Sequence, residues 1–134
     1  MTPEVFIGID LVSLQKIKKV LTHCGEKFIE RIASADEIDY YRHRSDRRLT
    51  EGVASLFAMK EAIKKIFLQR EINPGWKQMR IHHDPSGKPW VVFSEGSLDS
   101  IFEKISLSLS HTQDLVVAVA VGVDQQSEKT EESI

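Results

Sequence analysis

The chain has 134 residues, and 20 acidic residues nearly balance 18 lysines and arginines for a net charge of −2. That length suits one compact domain with one core. The charge balance excludes an overall field that would draw the protein onto nucleic acid or an anionic membrane, so any anion site must be local. The lone Cys24 excludes an internal disulfide and a multi-thiolate metal site, which fits a reducing compartment. No run approaches the roughly 20 apolar residues of a membrane span, and the start lacks a basic segment followed by a long apolar stretch. A soluble, cytoplasmic protein is the expectation.

Val5-Phe6-Ile7-Gly8-Ile9-Asp10-Leu11-Val12 reads as a buried strand, and a carboxylate buried there needs a compensating partner. Gly8 shares a strand face with Asp10, so the space beside the carboxylate is free of a side chain and open to close approach. From Ser13, Leu14, Ile17, Val20 and Leu21 recur at helical spacing, with Gly25 as a natural stop. Phe28, Ile29 and Ile32 suggest another helical turn or two, and Ser34-Ala35-Asp36-Glu37 has the form of a capping box opening a helix through Tyr41. A longer helix is expected from near Ser45 to near Leu68, with Leu49, Val53, Leu56, Ile63 and Phe67 on one stripe.

The second half changes period. Met79 to His83 and Trp90 to Phe93 flank the turn-rich Asp84-Pro85-Ser86-Gly87-Lys88-Pro89, which reads as a hairpin. The segment 94–104 is expected to hold a short helix with Leu98, Ile101 and Phe102 inward. It leads into the half-buried strand Ile105 to Ser110. His111-Thr112-Gln113-Asp114 then turns the chain into Leu115 to Val121, apolar enough to be a central strand. One domain over 1–123 is expected, followed by a polar, acidic tail over 124–134 that should fray for want of apolar surface.

On the long helix each residue turns by about 100 degrees, which places Lys60 near the middle of the apolar stripe and Glu61 at its edge. Phe57, Glu61 and Lys65 then follow one another turn by turn. Two readings stand for each feature. Glu61 is either an ordinary helical ion-pair partner or a ligand; Lys60 either extends to solvent or belongs to a site or buried pair. Asp10 either caps the helix opening at Ser13 or binds. Together, two hard oxygen ligands on different elements, with lysines to neutralise phosphate, are what a magnesium-assisted phosphoryl site needs. His111, flanked by hydroxyls at a strand end, could reach a ligand. His82 and His83 face opposite sides of a strand and should not share one ion.

Ile7-Gly8-Ile9-Asp10-Leu11-Val12, Phe57-Ala58-Met59-Lys60-Glu61-Ala62-Ile63-Lys64-Lys65, Gly87-Lys88-Pro89 and Leu109-Ser110-His111-Thr112 occur in this order. So arranged, they resemble the holo-(acyl-carrier-protein) synthases, small 4'-phosphopantetheinyl transferases. The resemblance covers nearly the whole chain and includes Arg31-Ile32, Glu37 and Tyr40-Tyr41. It implies an α+β, 4'-phosphopantetheinyl transferase-like fold: a small antiparallel-rich sheet packed against a long helix and shorter helices. It also implies transfer of the 4'-phosphopantetheine group from coenzyme A to a serine of an apo acyl carrier protein, with release of adenosine 3',5'-bisphosphate.

By the same resemblance Asp10 and Glu61 are the Mg2+ ligands, and Glu61 and Lys65 are catalytic. Arg48, Lys65, His111 and Thr112 hold coenzyme A, and the assembly is a homotrimer. The carrier should meet a basic surface, for which Lys16, Lys18, Lys19 and the arginines near Arg42 are candidates. The chain departs from the pattern at Phe6, where many relatives have glycine, and at Leu56, often arginine. Leu68-Gln69-Arg70-Glu71 replaces a glycine-rich stretch. A non-catalytic carrier- or coenzyme A-binding module of the same fold is the alternative. A metal-dependent phosphohydrolase is a third reading, weakened by the lack of a dense carboxylate and histidine cluster.

Overall fold

The computed structural model describes residues 2–42 and 46–124. Its elements in chain order are β1 (Val5–Ser13), α1 (Leu14–Cys24), α2 (Glu26–Ile32), α3 (Ala35–Arg42), α4 (Asp46–Leu68), a 3-10 turn (Trp76–Gln78), β2 (Met79–His83), β3 (Pro89–Phe93), α5 (Gly96–Asp99), β4 (Phe102–His111) and β5 (Leu115–Asp124). Three strands form an antiparallel sheet in the order β1-β5-β4, and β2 and β3 form a separate hairpin. The expected α+β arrangement of a small antiparallel sheet against a long helix is what the chain adopts. Two expectations, the helix start at Ser45 and the tail over 125–134, lie outside the described residues. Asp124 itself completes β5 and is ion-paired with Arg70 at 2.6 Å.

Local chemistry explains the element boundaries. The Ser13 hydroxyl accepts from Lys16 N at 3.3 Å and caps α1, so Asp10 is released from the capping role. Gly25, at φ 60, ends α1. Before α3, Ser34 N donates to Glu37 Oε1 at 2.9 Å while Glu37 N donates to Ser34 Oγ at 3.4 Å, the reciprocal pair expected from the sequence. At the end of α4 Glu71 takes φ 61, filling with a side-chain-bearing residue the left-handed position that glycine adopts more easily. In the hairpin turn, Asp84 Oδ1 accepts from Ser86 N and Lys88 N, both at 2.9 Å.

The core is the contact between α4 and the three-stranded sheet. Val53, Leu56, Met59, Ile63, Ile66 and Phe67 of α4 are wholly buried, as are Ala118 and Ala120 of β5. Small residues let the helix approach. A Cβ placed on Gly8 would meet Ala62 O at 2.2 Å, and one on Gly122 would meet Ile66 and Phe102 at 2.9 Å. The gap beside Asp10 expected from Gly8 is therefore filled by the backbone of α4 and not left for a ligand. That contact also sets Glu61, the residue before Ala62, above the row in which Gly8 and Asp10 lie.

Strand β1 differs from the buried strand expected. Phe6, Gly8 and Val12 are buried, but Val5, Ile7, Ile9 and Leu11 are 54–64% exposed. Only one face of β1 meets α4, and among the described residues nothing covers the other.

Lys60 is buried at 0% exposure, and its amine donates to Ile32 O at 2.6 Å, Glu37 Oε1 at 2.9 Å and Trp76 O at 3.0 Å. Glu37 Oε2 in turn accepts from Ile81 N at 2.7 Å. Of the two readings of Lys60, the buried pair is the one realised. Burial pulls its ammonium below the ordinary lysine range and the charge of Glu37 opposes that shift. Removing one member of such a pair strands the other charge. Lys60→Met should therefore lose about 3–5 kcal/mol of unfolding free energy in urea titration. The double variant Lys60→Met/Glu37→Leu should stay below wild type, because backbone groups at Ile32, Ser34, Trp76 and Ile81 would lose their partners.

Candidate functional site

Asp10 projects from β1 toward α4, in the sheet row Asp10, Ala118, Leu109. The small Ala118 beside it leaves the carboxylate facing the helix. Lys65 Nζ donates to Asp10 Oδ1 at 3.2 Å and to Ile9 O at 2.7 Å. Asp10 Oδ2 is buried and has no hydrogen-bond partner, an arrangement that normally costs free energy unless something else satisfies the oxygen.

Glu61 lies one turn before Lys65 on the same helix, and burial followed by the charge of Asp10 raises its carboxyl above the ordinary range. Lys64 and Lys65 act against that rise without cancelling it. Two carboxylates are thus held close enough to repel, one with an orphaned oxygen, beside one paired ammonium. This donor set fits a single hard cation that keeps several waters. Among the described residues no group of three or more histidines, cysteines, aspartates or glutamates is poised for a metal.

The other expected residues stand apart from this pair. His111 ends β4 in the row His111, Val116, Val12, on the same sheet face as Asp10. It is two strands across and two residues along, about 10 Å by about 7 Å from ordinary sheet spacings. Thr112 follows, and its hydroxyl oxygen accepts from Asp114 N and Leu115 N, both at 3.1 Å. That hydroxyl organises the turn, with its own proton still to donate. Arg48 is exposed near the start of α4, about 20 Å along the helix from Glu61 at the usual rise. One chain does not bring it to the carboxylates.

A cleft of about 480 Å³ lies between the starts of α1 and α4 and the β4–β5 turn, lined by Gln15, Lys18, Arg47, Glu51, Gln113 and Asp114 among others. It lies between the segments that carry Arg48 and His111-Thr112.

Two sets of contacts beside Glu61 come from the folded chain and not from local pattern. Lys64 donates to Pro74 O, lies 5.0 Å from the centre of the Trp76 ring, and is a second cation felt by Glu61. Phe57, one turn before Glu61, stacks on Trp76 at 5.3 Å and meets Phe28 at a tilt at 5.8 Å. The signal for Lys64 was present in its place beside Lys65, but which way it turned depended on the loop that packs against it. Arg42, a candidate for docking, instead pairs with both oxygens of Glu26 at 2.9 and 3.2 Å.

Residues 6–120 match the model of the 4'-phosphopantetheinyl transferase superfamily. A holo-[acyl-carrier-protein] synthase of Thermoanaerobacter sp. (strain X514) is 33% identical over 125 residues, which is 90% of this chain and 88% of the relative. One of Blochmanniella pennsylvanica is 39% identical over 108 residues, 78% of this chain and 82% of the relative. Among solved structures, a holo-(acyl-carrier-protein) synthase from Bacillus anthracis in complex with CoA (3',5'-ADP) superposes with a TM-score of 0.75 and 31% identity, covering 92% of this chain and 100% of the other. The Helicobacter pylori synthase in complex with coenzyme A gives 0.74 and 31%, covering 88% and 99%.

The raised carboxyl of Glu61 has a consequence for stability. A group whose pKa is higher folded than unfolded favours folding below its unfolded value, and that advantage is lost as pH rises through the folded value. In metal-free protein Glu61→Gln should therefore melt a few degrees higher than wild type at neutral pH. The two should converge as pH falls toward the ordinary value of 4.5, as scanning calorimetry in chelator would record.

Proposed function

Because this chain belongs to the 4'-phosphopantetheinyl transferase superfamily, we propose that it moves the phosphopantetheine arm of coenzyme A onto a serine of an apo acyl carrier protein. The observation that carries the reading is the Asp10–Glu61 pair with Lys65 beside it and Asp10 Oδ2 unsatisfied. In the transfer, the serine oxygen bonds to the phosphorus that bears the arm. The bond from that phosphorus to the bridging oxygen breaks, and adenosine 3',5'-bisphosphate leaves with the electron pair. Asp10 and Glu61 would hold Mg2+, which when bound supplies positive charge to the phosphoryl oxygens.

Lys65, with its side chain 46% exposed, neutralises phosphate from the solvent side of the carboxylates. Glu61 accepts the serine proton as general base. The nucleotide end of coenzyme A lies toward Arg48, His111 and Thr112. An acidic carrier meets the exposed Lys16, Lys18 and Lys19 of α1.

The assay is intact-mass spectrometry of an apo carrier incubated with the protein, coenzyme A and magnesium. A gain of about 340 Da, the mass of the covalent modification, is expected, and a chelator should abolish it. Asp10→Ala and Glu61→Ala should each slow the gain on the order of 10²-fold or more. Unchanged rates in folded variants would refute the site. Coenzyme A binding with no transfer to any carrier would favour the alternative, a binding module of the same fold, for which the departures at Leu56 and over 68–71 are the motive.

We infer further that the protein is a homotrimer. Val5, Ile7, Ile9 and Leu11 present a continuous apolar face that the described residues leave open, which is a common mark of an interface. A site shared between copies also accounts for the separation of Arg48 from Glu61. Light scattering should give a trimer for wild type and a folded, smaller species for Ile9→Glu; a monomeric wild type would overturn this assignment.

A further inference from the structure

Lys65 is more than a phosphate ligand in waiting. Its ammonium donates to Asp10 Oδ1 at 3.2 Å and Ile9 O at 2.7 Å, with its own side chain 46% exposed and that of Asp10 only 15%. It therefore meets from the solvent side the carboxylate that a metal would need. An ammonium and a divalent ion on one carboxylate repel strongly at such distances. We propose that Lys65 is the resident counter-cation of Asp10, which a divalent ion must displace and which a phosphate-bearing co-substrate draws away, so that metal and co-substrate bind synergistically. The inference rests on the reading of Asp10 and Glu61 as a metal site.

The structure makes this exchange cheap. The flexible four-carbon stem of lysine lets the amine swing while α4 stays in place. Ile9 lies on an edge strand, so its carbonyl points away from the sheet and can turn to water when the amine leaves. One turn further along, Gln69 Nε2 donates to Ile7 O at 3.2 Å and to Lys65 O at 3.3 Å, so β1 remains tied to the helix. With the ammonium gone, Asp10 has two oxygens to offer and Glu61 remains opposite. The ammonium meanwhile finds its counter-charge on the phosphate.

The test uses Mn2+ as the probe, with free ion read by electron paramagnetic resonance, with and without coenzyme A, and with ion bound to coenzyme A alone subtracted. In wild type, coenzyme A should tighten Mn2+ binding about tenfold or more, within the usual range of coupling between sites. Lys65→Met, without coenzyme A, should bind Mn2+ about fivefold more tightly than wild type, and the effect of coenzyme A should shrink correspondingly. Lys65→Gln, which keeps a hydrogen bond to Ile9 O but no charge, should behave like Lys65→Met, whereas Lys65→Arg should stay weak like wild type. Asp10→Asn should lose the binding in every case. If wild type binds Mn2+ and neither neutral variant binds it more tightly, the placeholder role is wrong while the metal site stands. If neither wild type nor the neutral variants show binding that Asp10→Asn removes, both fall.

Discussion

A lysine ammonium sealed from water stays charged only where its surroundings replace every hydration partner, and around Lys60 they do. Its three protons go to Ile32 O at the end of α2, to Glu37 on α3 and to Trp76 O in the segment after α4. Glu37 continues the connection to β2 through Ile81 N and to its own helix start through Ser34. Four parts of the chain are thereby fixed to one point on α4. An apolar residue at position 60 would pack, but it could not specify which carbonyl and which carboxylate face it. The fixed rotation of α4 is what matters for the site, because Glu61 is the next residue and takes its direction from the same turn of helix.

The second constraint is the closeness of α4 to the sheet. The residues in the rows beneath the helix include Gly8, Ala118, Ala120 and Gly122, and an added methyl at Gly8 would overlap the carbonyl of Ala62. This close approach brings a helix carboxylate within electrostatic reach of a strand carboxylate, which two ordinary side chains in the interface would prevent. Burial first, and repulsion from Asp10 second, raise the carboxyl of Glu61. A cation relieves that repulsion, and among the described residues Lys65 already holds its ammonium on Asp10 while Lys64 also acts on Glu61.

The opposite face of the same strand carries a different demand. Where Asp10 and Gly8 look inward, Ile9 and Ile7 look out onto an uncovered apolar surface, while their outer-edge carbonyls are occupied by Lys65 and Gln69. Side chains from the end of α4 and the residue after it thus protect the free edge of the sheet against pairing with another strand, while its flat face is left available. The residues that would handle the nucleotide, Arg48 at one end of α4 and His111 beyond the far strand, lie on either side of a separate cleft. Glu61 and Arg48 therefore stand well apart along one long helix.

Much of this was legible in the residues. The period of hydrophobic positions gave the helices and strands, Ser34 and Glu37 announced their cap, and Asp10 and Glu61 stood out because charge in an apolar setting is costly wherever it falls. Local pattern carries such features because they depend on neighbours a few residues away. What the sequence could not determine was the occupant of each gap and the partner of each charge: that Gly8 makes room for the backbone of α4 and no ligand, that Lys60 finds Glu37, that Arg42 is taken by Glu26, or that one whole face of β1 is left open. Those outcomes depend on contacts between segments tens of residues apart, and a side chain's partner is set by the three-dimensional packing that closes the distance between them.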